Sequence, residues 1–241
     1  MADERRGRRL RSTAPAPKPP LVPELTTLWD YPSQHYGDRQ QGSQGYRGAT
    51  PSYVIWNVIH RFTQPGARVL DPFCGSGTTL DVAKDLGRQG IGFDLAPFRK
   101  DIERADARAL PLKERSVDLV FMDPPYADNL EYSDDPDCIG KLTADGPYQE
   151  AMSDVLAESW RVLKKGGTLA IYVCDIFQKG RGFYPLGFEL YDLASQRFRG
   201  LDIIAVVRHN KTLNLGTHRR AAEEGGFYLR GFNYLMLFER S

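Results

Sequence analysis

Arg68-Val69-Leu70-Asp71-Pro72-Phe73-Cys74-Gly75-Ser76-Gly77-Thr78-Thr79 carries the clearest fold signal in the chain. A short apolar run ends on an acid, passes through a glycine-rich turn and opens into a helical pattern. Glycine takes left-handed backbone without a Cβ penalty and lets a main chain approach a ligand closely. An acid at a strand tip can accept hydrogen bonds from a ligand amine or hydroxyl. Such a turn is a weak signal alone, so its neighbours must carry the argument.

Outward from it, strands and helices alternate. Upstream, Thr50-Pro51 suits a helix start, and apolar residues follow at helical spacing from Tyr53 to Phe62. Downstream, the pattern predicts a helix over Thr78–Leu86 closed by Gly87, a strand over Ile91–Phe93 ending at Asp94, and a strand over Val117–Met122 ending at Asp123. An amphipathic helix is expected over Pro147–Leu163, with Met152, Val155, Leu156, Trp160 and Leu163 on one side. Lys164-Lys165-Gly166-Gly167 reads as a turn into a strand over Thr168–Val173. A helix near Leu186–Phe198 and strands over Leu201–Val207 and Tyr234–Phe238 complete the order. That alternation predicts an α/β fold with a doubly wound, mostly parallel sheet. The stretch from Leu21 to Gly48 shows little periodicity and is expected to be an irregular lead-in covering part of the domain.

Three acids then fall at the carboxyl ends of successive strands or just before one. Asp71 sits in the glycine turn, Asp94 can take hydrogen bonds from two ribose hydroxyls, and Asp106 precedes the next strand, where it can accept from an adenine amine. Together they fit a crevice for an adenosine-bearing ligand. The sharpest signal is Asp123-Pro124-Pro125-Tyr126. Two prolines fix the backbone and remove two amide donors, which leaves carbonyl oxygens at a strand tip beside a carboxylate and an aromatic ring. That set suits a planar base: Asp123 and the Pro124 carbonyl accept from its amine, and Tyr126 stacks on the ring.

These two motifs resemble the cofactor and catalytic motifs of the amino-methyltransferases that modify DNA at adenine N6 or cytosine N4. The similarity runs from about Tyr46 to Arg240. It implies a Rossmann-like class I methyltransferase fold with a seven-stranded sheet whose last strand is antiparallel, and S-adenosylmethionine as cofactor. By that resemblance, Asp71, Pro72, Phe73, Cys74, Gly75, Ser76, Gly77 and Thr78 would cradle the cofactor. Asp94, with Leu95 beside it, would hold the ribose, and Asp106 with Ala107 would flank the adenine. Gly48-Ala49-Thr50-Pro51 resembles the segment that caps the methionine part, which brings Thr50 and Pro51 into the cofactor set. Asp123, Pro124, Pro125 and Tyr126 would bind a flipped base and present its amine lone pair to a sulfonium methyl, with no covalent enzyme intermediate. Asn233 to Phe238 resembles the closing strand. In three respects the chain departs from the family pattern. The glycine turn precedes the catalytic motif, as in only some subclasses. Leu95–Ala105 is short where a full helix is usual, and no segment is large enough for a separate target-recognition domain.

The remaining features bound the reading. The chain has 241 residues, 41% of them hydrophobic and 26% charged, with net charge +1. A near-neutral balance argues against a protein that coats nucleic acid non-specifically. No run approaches a membrane span and the Arg-rich start lacks an apolar core, so a secretory signal is not expected. Cys74, Cys138 and Cys174 are too far apart for a zinc site or a disulfide framework, no metal is expected, and a cytoplasmic setting fits. Residues 1–20, with five arginines and then Pro and Ala, read as a disordered basic tail, and residues 21–241 as one domain. The loop Ala127–Gly146 is acidic and suits a solvated lid. The long loop between the last two strands carries Arg208, His209, Lys211, His218, Arg219 and Arg220, with Phe227, Tyr228 and Arg230 beyond, and suits backbone contact with stacking. DNA is the preferred partner. RNA base amines are the nearest alternative, and a binding-only subunit is a remote one. A glutamine-amide substrate is disfavoured by Asp rather than Asn at 123, and the oligomeric state is left open.

Overall fold

Strand β2 (Arg68–Asp71) lies at the centre of the molecule because its residues Val69 and Leu70 are apolar on both faces and wholly buried. Parallel strands covered on both sides require such runs. Chain order before it gives β1 (Leu28–Trp29) and α1 (Ser52–Phe62); after it come α2 (Thr78–Asp85), β3 (Gln89–Asp94), β4 (Glu103–Arg104) and β5 (Val117–Met122). The second half contains α3 (Pro147–Val162), β6 (Leu163–Val173), a hairpin β7 (Ile176–Gln178) and β8 (Gly182–Tyr184), α4 (Leu186–Ser195), β9 (Arg199–Val207), α5 (Gly216–Gly225) and β10 (Phe232–Glu239). This computed structural model describes residues 18–46, 48–127, 135–144, 146–178, 180–209, 213 and 215–241. The tail expected over residues 1–20 lies outside the described residues except for its last three. There Lys18 donates to the Gly37 carbonyl and the Pro19 carbonyl accepts from Tyr31, so these residues pack on the body.

The sheet has the order β1-β9-β10-β6-β5-β2-β3-β4, and β10 runs antiparallel to both neighbours. The doubly wound, mostly parallel expectation holds, with one correction: among the described residues this sheet has eight strands rather than seven. The eighth is β1, where Leu28 and Trp29 pair in parallel with Ala205 and Val206. Two residues of strand inside a stretch rich in Gln, Gly and Ser leave no alternation to read. Side chains sort by pleat: on β5 and β6, Val120, Met122, Leu169 and Ile171 face α3 and α4, while Leu119, Phe121, Ala170 and Tyr172 face α1. Each fully buried aliphatic or aromatic side chain contributes on the order of 2 kcal/mol.

Two further expectations change. The Lys164–Gly167 turn is a wide bulge inside β6, because Val117 pairs with Leu163 while Leu119 pairs with Thr168. Arg240 closes it, its amide donating to the Gly167 carbonyl and its own carbonyl accepting from Gly166. The loop between the last two strands contains α5, whose only buried residue is Ala222. Its two alanines are the only apolar side chains it carries, so no broad apolar stripe marks it in the sequence. Among the described residues no helix is long and apolar enough to cross a membrane.

Trp29 is 4% exposed, packs in the α1-side core and donates from Nε1 to the Thr26 carbonyl at 2.8 Å. Trp29→Ala should therefore cost about 3–5 kcal/mol in urea unfolding. A loss under about 1 kcal/mol would show that the edge strand lies outside the cooperative unit.

Candidate active site

In a doubly wound sheet, the crevice for a ligand opens at the carboxyl ends of the strands where the winding reverses. Here the reversal falls between β2 and β5, since the chain passes from β2 outward to β3 and β4 and returns to β5 on the other side. A cavity of about 620 Å³ opens there, lined by the glycine turn, Asp94, the segment Ala105–Ala107 and Asp123–Tyr126.

The glycine turn is held by its neighbours. Gly75 and Gly77 adopt φ of 43° and 78°, in the left-handed region. A Cβ on Gly75 would sit 2.5 Å from the Tyr46 hydroxyl, and one on Gly77 2.6 Å from Arg99 Nη1. Asp71 is spent on this turn: its Oδ1 accepts from the Phe73 amide at 3.0 Å and its Oδ2 from Thr79 Oγ1 at 2.5 Å. Burial pushes its carboxyl up to about 7 against those two bonds, with Asp123 and Asp94 adding repulsion. Asp94 accepts from the Gly75 amide at 2.8 Å and the Ala96 amide at 2.9 Å, one on each oxygen, and stays half-exposed to the cavity. Each of its oxygens retains acceptor capacity. Leu95 and Ala107 also line the cavity. Asp106 lines it too, yet both its oxygens take N–H groups of Arg108 at 2.6–3.0 Å. Burial alone would raise that carboxyl, but the Arg108 bonds outweigh it and the net shift is downward. Its carboxylate is therefore committed to an ion pair rather than open to an adenine amine.

At the tip of β5, Asp123 receives two hydroxyls. Thr50 Oγ1 donates to Oδ2 at 2.6 Å and Tyr126 Oη to Oδ1 at 3.0 Å. Tyr126 Oη in turn accepts from Asn233 Nδ2 at 3.3 Å. Burial pushes the Asp123 carboxyl up to about 7; the bonds from Thr50 and Tyr126 and the nearby Arg208 pull it back. The Pro125 carbonyl is taken by Tyr148 Oη at 2.7 Å, which anchors the double proline to α3. Ala127, next along, sits at φ 48°. That left-handed conformation is costly for a residue with a Cβ, so the turn is held by its surroundings.

Pro51, Pro72, Phe73, Cys74, Ser76, Thr78 and Pro124 also lie on the cavity wall. Thr50 reaches Asp123, so it holds the carboxylate as well as lining the wall. Of the basic candidates, Arg208 and His209 line the cavity; Arg208 donates to Cys174 Sγ at 3.3 Å, and His209 Nε2 lies 2.5 Å from Asp30. His218, Arg219 and Arg220 are exposed on α5 away from the cavity lining, with Arg220 paired to Glu224 one turn on. Lys211 lies outside the described residues. Reading by residue missed Tyr31, Gln34, Tyr53, Tyr172 and Asn233, all on the wall. The first three belong to or follow the patternless lead-in; the last two read as ordinary core strand. Among the described residues no three His, Cys, Asp or Glu side chains come together to hold a metal.

An adenosine-bearing sulfonium fits these residues. The cavity volume is ordinary for such a ligand. Asp94 offers acceptors at a strand tip, and Leu95, Ala105, Ala107 and Ile139 supply apolar walls beyond it. Against that geometry the comparisons with known proteins are specific. Residues 3–104 match the model of the DNA methylase family of N6/N4 methyltransferases. The match takes in the glycine turn and Asp94 and ends before Asp123. The chain is 35% identical over 83 residues to the type II methyltransferase M.HinfI of Haemophilus influenzae, covering 34% of this chain and 23% of that protein. It is 32% identical over 97 residues to M.ScaI of Streptomyces caespitosus, covering 39% and 32%. It thus spans a third or less of the length of these methylases. Among solved structures, TrmN from Thermus thermophilus superposes with TM-score 0.53 at 20% identity, covering 81% of this chain and 50% of that one. The cyclase SpnF gives TM-score 0.53 at 14% identity, covering 83% and 89%. These two likenesses show the fold alone, a doubly wound α/β sheet.

The Asp123 carboxyl should titrate near 7 when followed by NMR. Thr50→Val removes a bond that favours the charged form, so the titration should move upward. A downward or absent shift would show that Thr50 does not donate to this carboxylate.

Proposed function

We propose that the chain transfers the methyl group of S-adenosylmethionine to the exocyclic amine of a DNA base, adenine N6 or cytosine N4. One observation carries this reading: a single cavity runs from the left-handed glycine turn and Asp94 to the sheltered Asp123-Pro124-Pro125-Tyr126 corner. The DNA methylase match over the glycine-turn half, and the type II methyltransferases named above, support DNA as the substrate class.

The residues divide into two sets. Asp94 would take the ribose hydroxyls of the cofactor, and the turn from Asp71 to Thr78, with Pro51, would surround its methionine part. Leu95 and Ala107 contact the adenine, while Asp106 serves through its ion pair to Arg108 by fixing that wall. When bound there, S-adenosylmethionine supplies an electrophilic methyl group on a positively charged sulfur. Asp123 and the Pro124 carbonyl accept the two amine hydrogens of a base turned out of its helix, which leaves the nitrogen lone pair facing the cofactor half of the cavity. Tyr126, its hydroxyl fixed on Asp123, offers its ring face to the base. The N–C bond would form as the methyl–sulfur bond breaks with its electron pair left on sulfur, and the nitrogen, then positive, would shed one proton. A carboxyl that titrates near 7 is a proton acceptor at neutral pH. Holding both reactants in line supplies most of the rate, because association entropy and solvent reorganisation are met on binding. Arg208 and His209, at the mouth, contact the strand that carries the base, and the setting is the cytoplasm where DNA is reached.

Transfer of labelled methyl to duplex DNA, single-stranded DNA and total RNA, followed by nucleoside mass spectrometry, tests the reading. Label in a DNA base amine is expected; label in RNA alone would replace DNA as substrate. Asp123→Ala should abolish transfer while cofactor affinity stays within a few-fold. Equal loss of both would remove Asp123 from the base side. Separately, Asp94→Ala should weaken cofactor binding at least tenfold in calorimetry, with unchanged affinity excluding Asp94 from the site.

A further inference from the structure

Strands β5 and β6 are parallel, and Met122 pairs with Ile171, so β6 ends beside the tip that carries Asp123. Past that tip the chain turns at Cys174-Asp175 into the β7–β8 hairpin, which therefore rises from the same edge of the sheet as the cavity. Its ring on β8, Phe183, is 55% exposed, and the Arg230 guanidinium lies 5.4 Å from the ring centroid. On β7, Phe177 stacks on Phe227 at 4.2 Å and 14°. That stack ties the hairpin to the segment between α5 and β10. Tyr228, the next residue, is 86% exposed. Arg230 donates from Nη2 to the Tyr228 carbonyl at 2.6 Å, and its buried Nε has no partner among the described residues. Asp175, the acid at the base of the hairpin, faces inward and is occupied by the Gly187 amide and the Tyr234 hydroxyl. Arg208 joins this surface to the cavity through its bond to Cys174.

Exposed ring faces held in place beside guanidinium groups suit unstacked nucleotides: rings stack on bases and cations meet phosphates. We propose that the β7–β8 hairpin and the 226–231 segment are a stacking platform for the nucleotides flanking the target base on its own strand. The proposal rests on the methyltransferase reading and deepens it, since it names the surface that would hold the strand carrying the target base.

The test uses the full chain with a fluorescein-labelled single-stranded 12-mer and the matching duplex, followed by anisotropy at two salt concentrations. Phe183→Ala with Tyr228→Ala should weaken single-strand binding roughly tenfold or more. Affinity for S-adenosylhomocysteine should be unchanged, because neither ring lines the cavity. Arg230→Gln should reduce the salt dependence of binding. Single-strand affinity within twofold in the double variant, with wild-type binding and methyl transfer intact, overturns the platform and leaves the methyltransferase reading standing. Loss of self-association in that variant, with nucleic-acid affinity unchanged, assigns the patch to a second copy of the chain and also overturns it. Wild-type protein that binds the cofactor but neither nucleic acid overturns both.

Discussion

Three carboxylates at the tips of three adjacent parallel strands are the constraint around which this molecule is built. Asp123, Asp71 and Asp94 end or immediately follow β5, β2 and β3, and the parallel register brings them to one edge. Like charges sheltered from water repel strongly and are costly to desolvate, so each must be compensated by donors on the spot. The donors found are specific. Asp71 takes Thr79 and the Phe73 amide, Asp94 takes the Gly75 and Ala96 amides, and Asp123 takes Thr50 and Tyr126. The glycine turn follows from this as much as from any ligand, since its left-handed residues turn the Gly75 amide onto Asp94. What remains unneutralised differs among the three. Asp71 is closed, Asp94 keeps acceptor capacity toward the cavity, and Asp123 sits near 7, held between two hydroxyls.

The lead-in that precedes the sheet belongs to this compensation. Ser43 donates its amide to the Ser76 carbonyl at 2.8 Å, and the Gly42 amide reaches Asp81 at 2.7 Å, so the segment straps the outside of the glycine turn. A Cβ on Gly42 would lie 2.5 Å from Thr78 Oγ1, which explains why glycine stands at that contact. Further on, Gln34 accepts the Ser52 amide at the start of α1, and two residues earlier Thr50 delivers its hydroxyl to Asp123. A segment with no periodicity thus connects both halves of the cavity through side-chain and loop bonds.

That contrast explains how far the sequence could be read. The central strands and four helices are legible because their cores show in the residue order: Leu119–Met122 is an unbroken apolar run, and α1 buries Val54, Ile55, Val58 and Ile59 at helical spacing. The glycine turn and the Asp-Pro-Pro-Tyr corner were legible because few backbones need those residues together. The rest depends on contacts between distant positions. Asn233 looks like one more residue of a closing strand, and only the pairing of Tyr234 with Val173 brings its amide to Tyr126. Asp106 looks like an open acceptor because a ring-facing acid and a salt-bridged acid share one letter, and Arg108 two residues on decides between them. Charge is visible in sequence and direction is not, so nothing in the basic stretch on α5 signals that it stands off the cavity wall.

The link between Asp94 and Asp106, where a parallel crossover commonly carries a helix, is held instead by one side chain. A crossover helix there would cover the outer face of the glycine turn and bury apolar surface against it. Residues 95–102 form no helix here. Instead Arg99 reaches across, pairing with Asp81 at 2.9 Å and Asp101 at 2.5 Å while donating to the Gly77 carbonyl at 3.3 Å. Ile102 completes a small core of its own with Cys74 and Leu80. A guanidinium is suited to this work because its planar donors can bridge two carboxylates and a carbonyl at once. The exchange trades area for direction: three apolar side chains bury less than a helix face, but the arginine fixes where the turn can sit. Phe98, edge-on to Tyr46 at 5.4 Å, then roofs the turn that Arg99 braces from the side. The floor of the cavity is thereby held from outside the sheet by side chains, and its inner wall is left to the ligand.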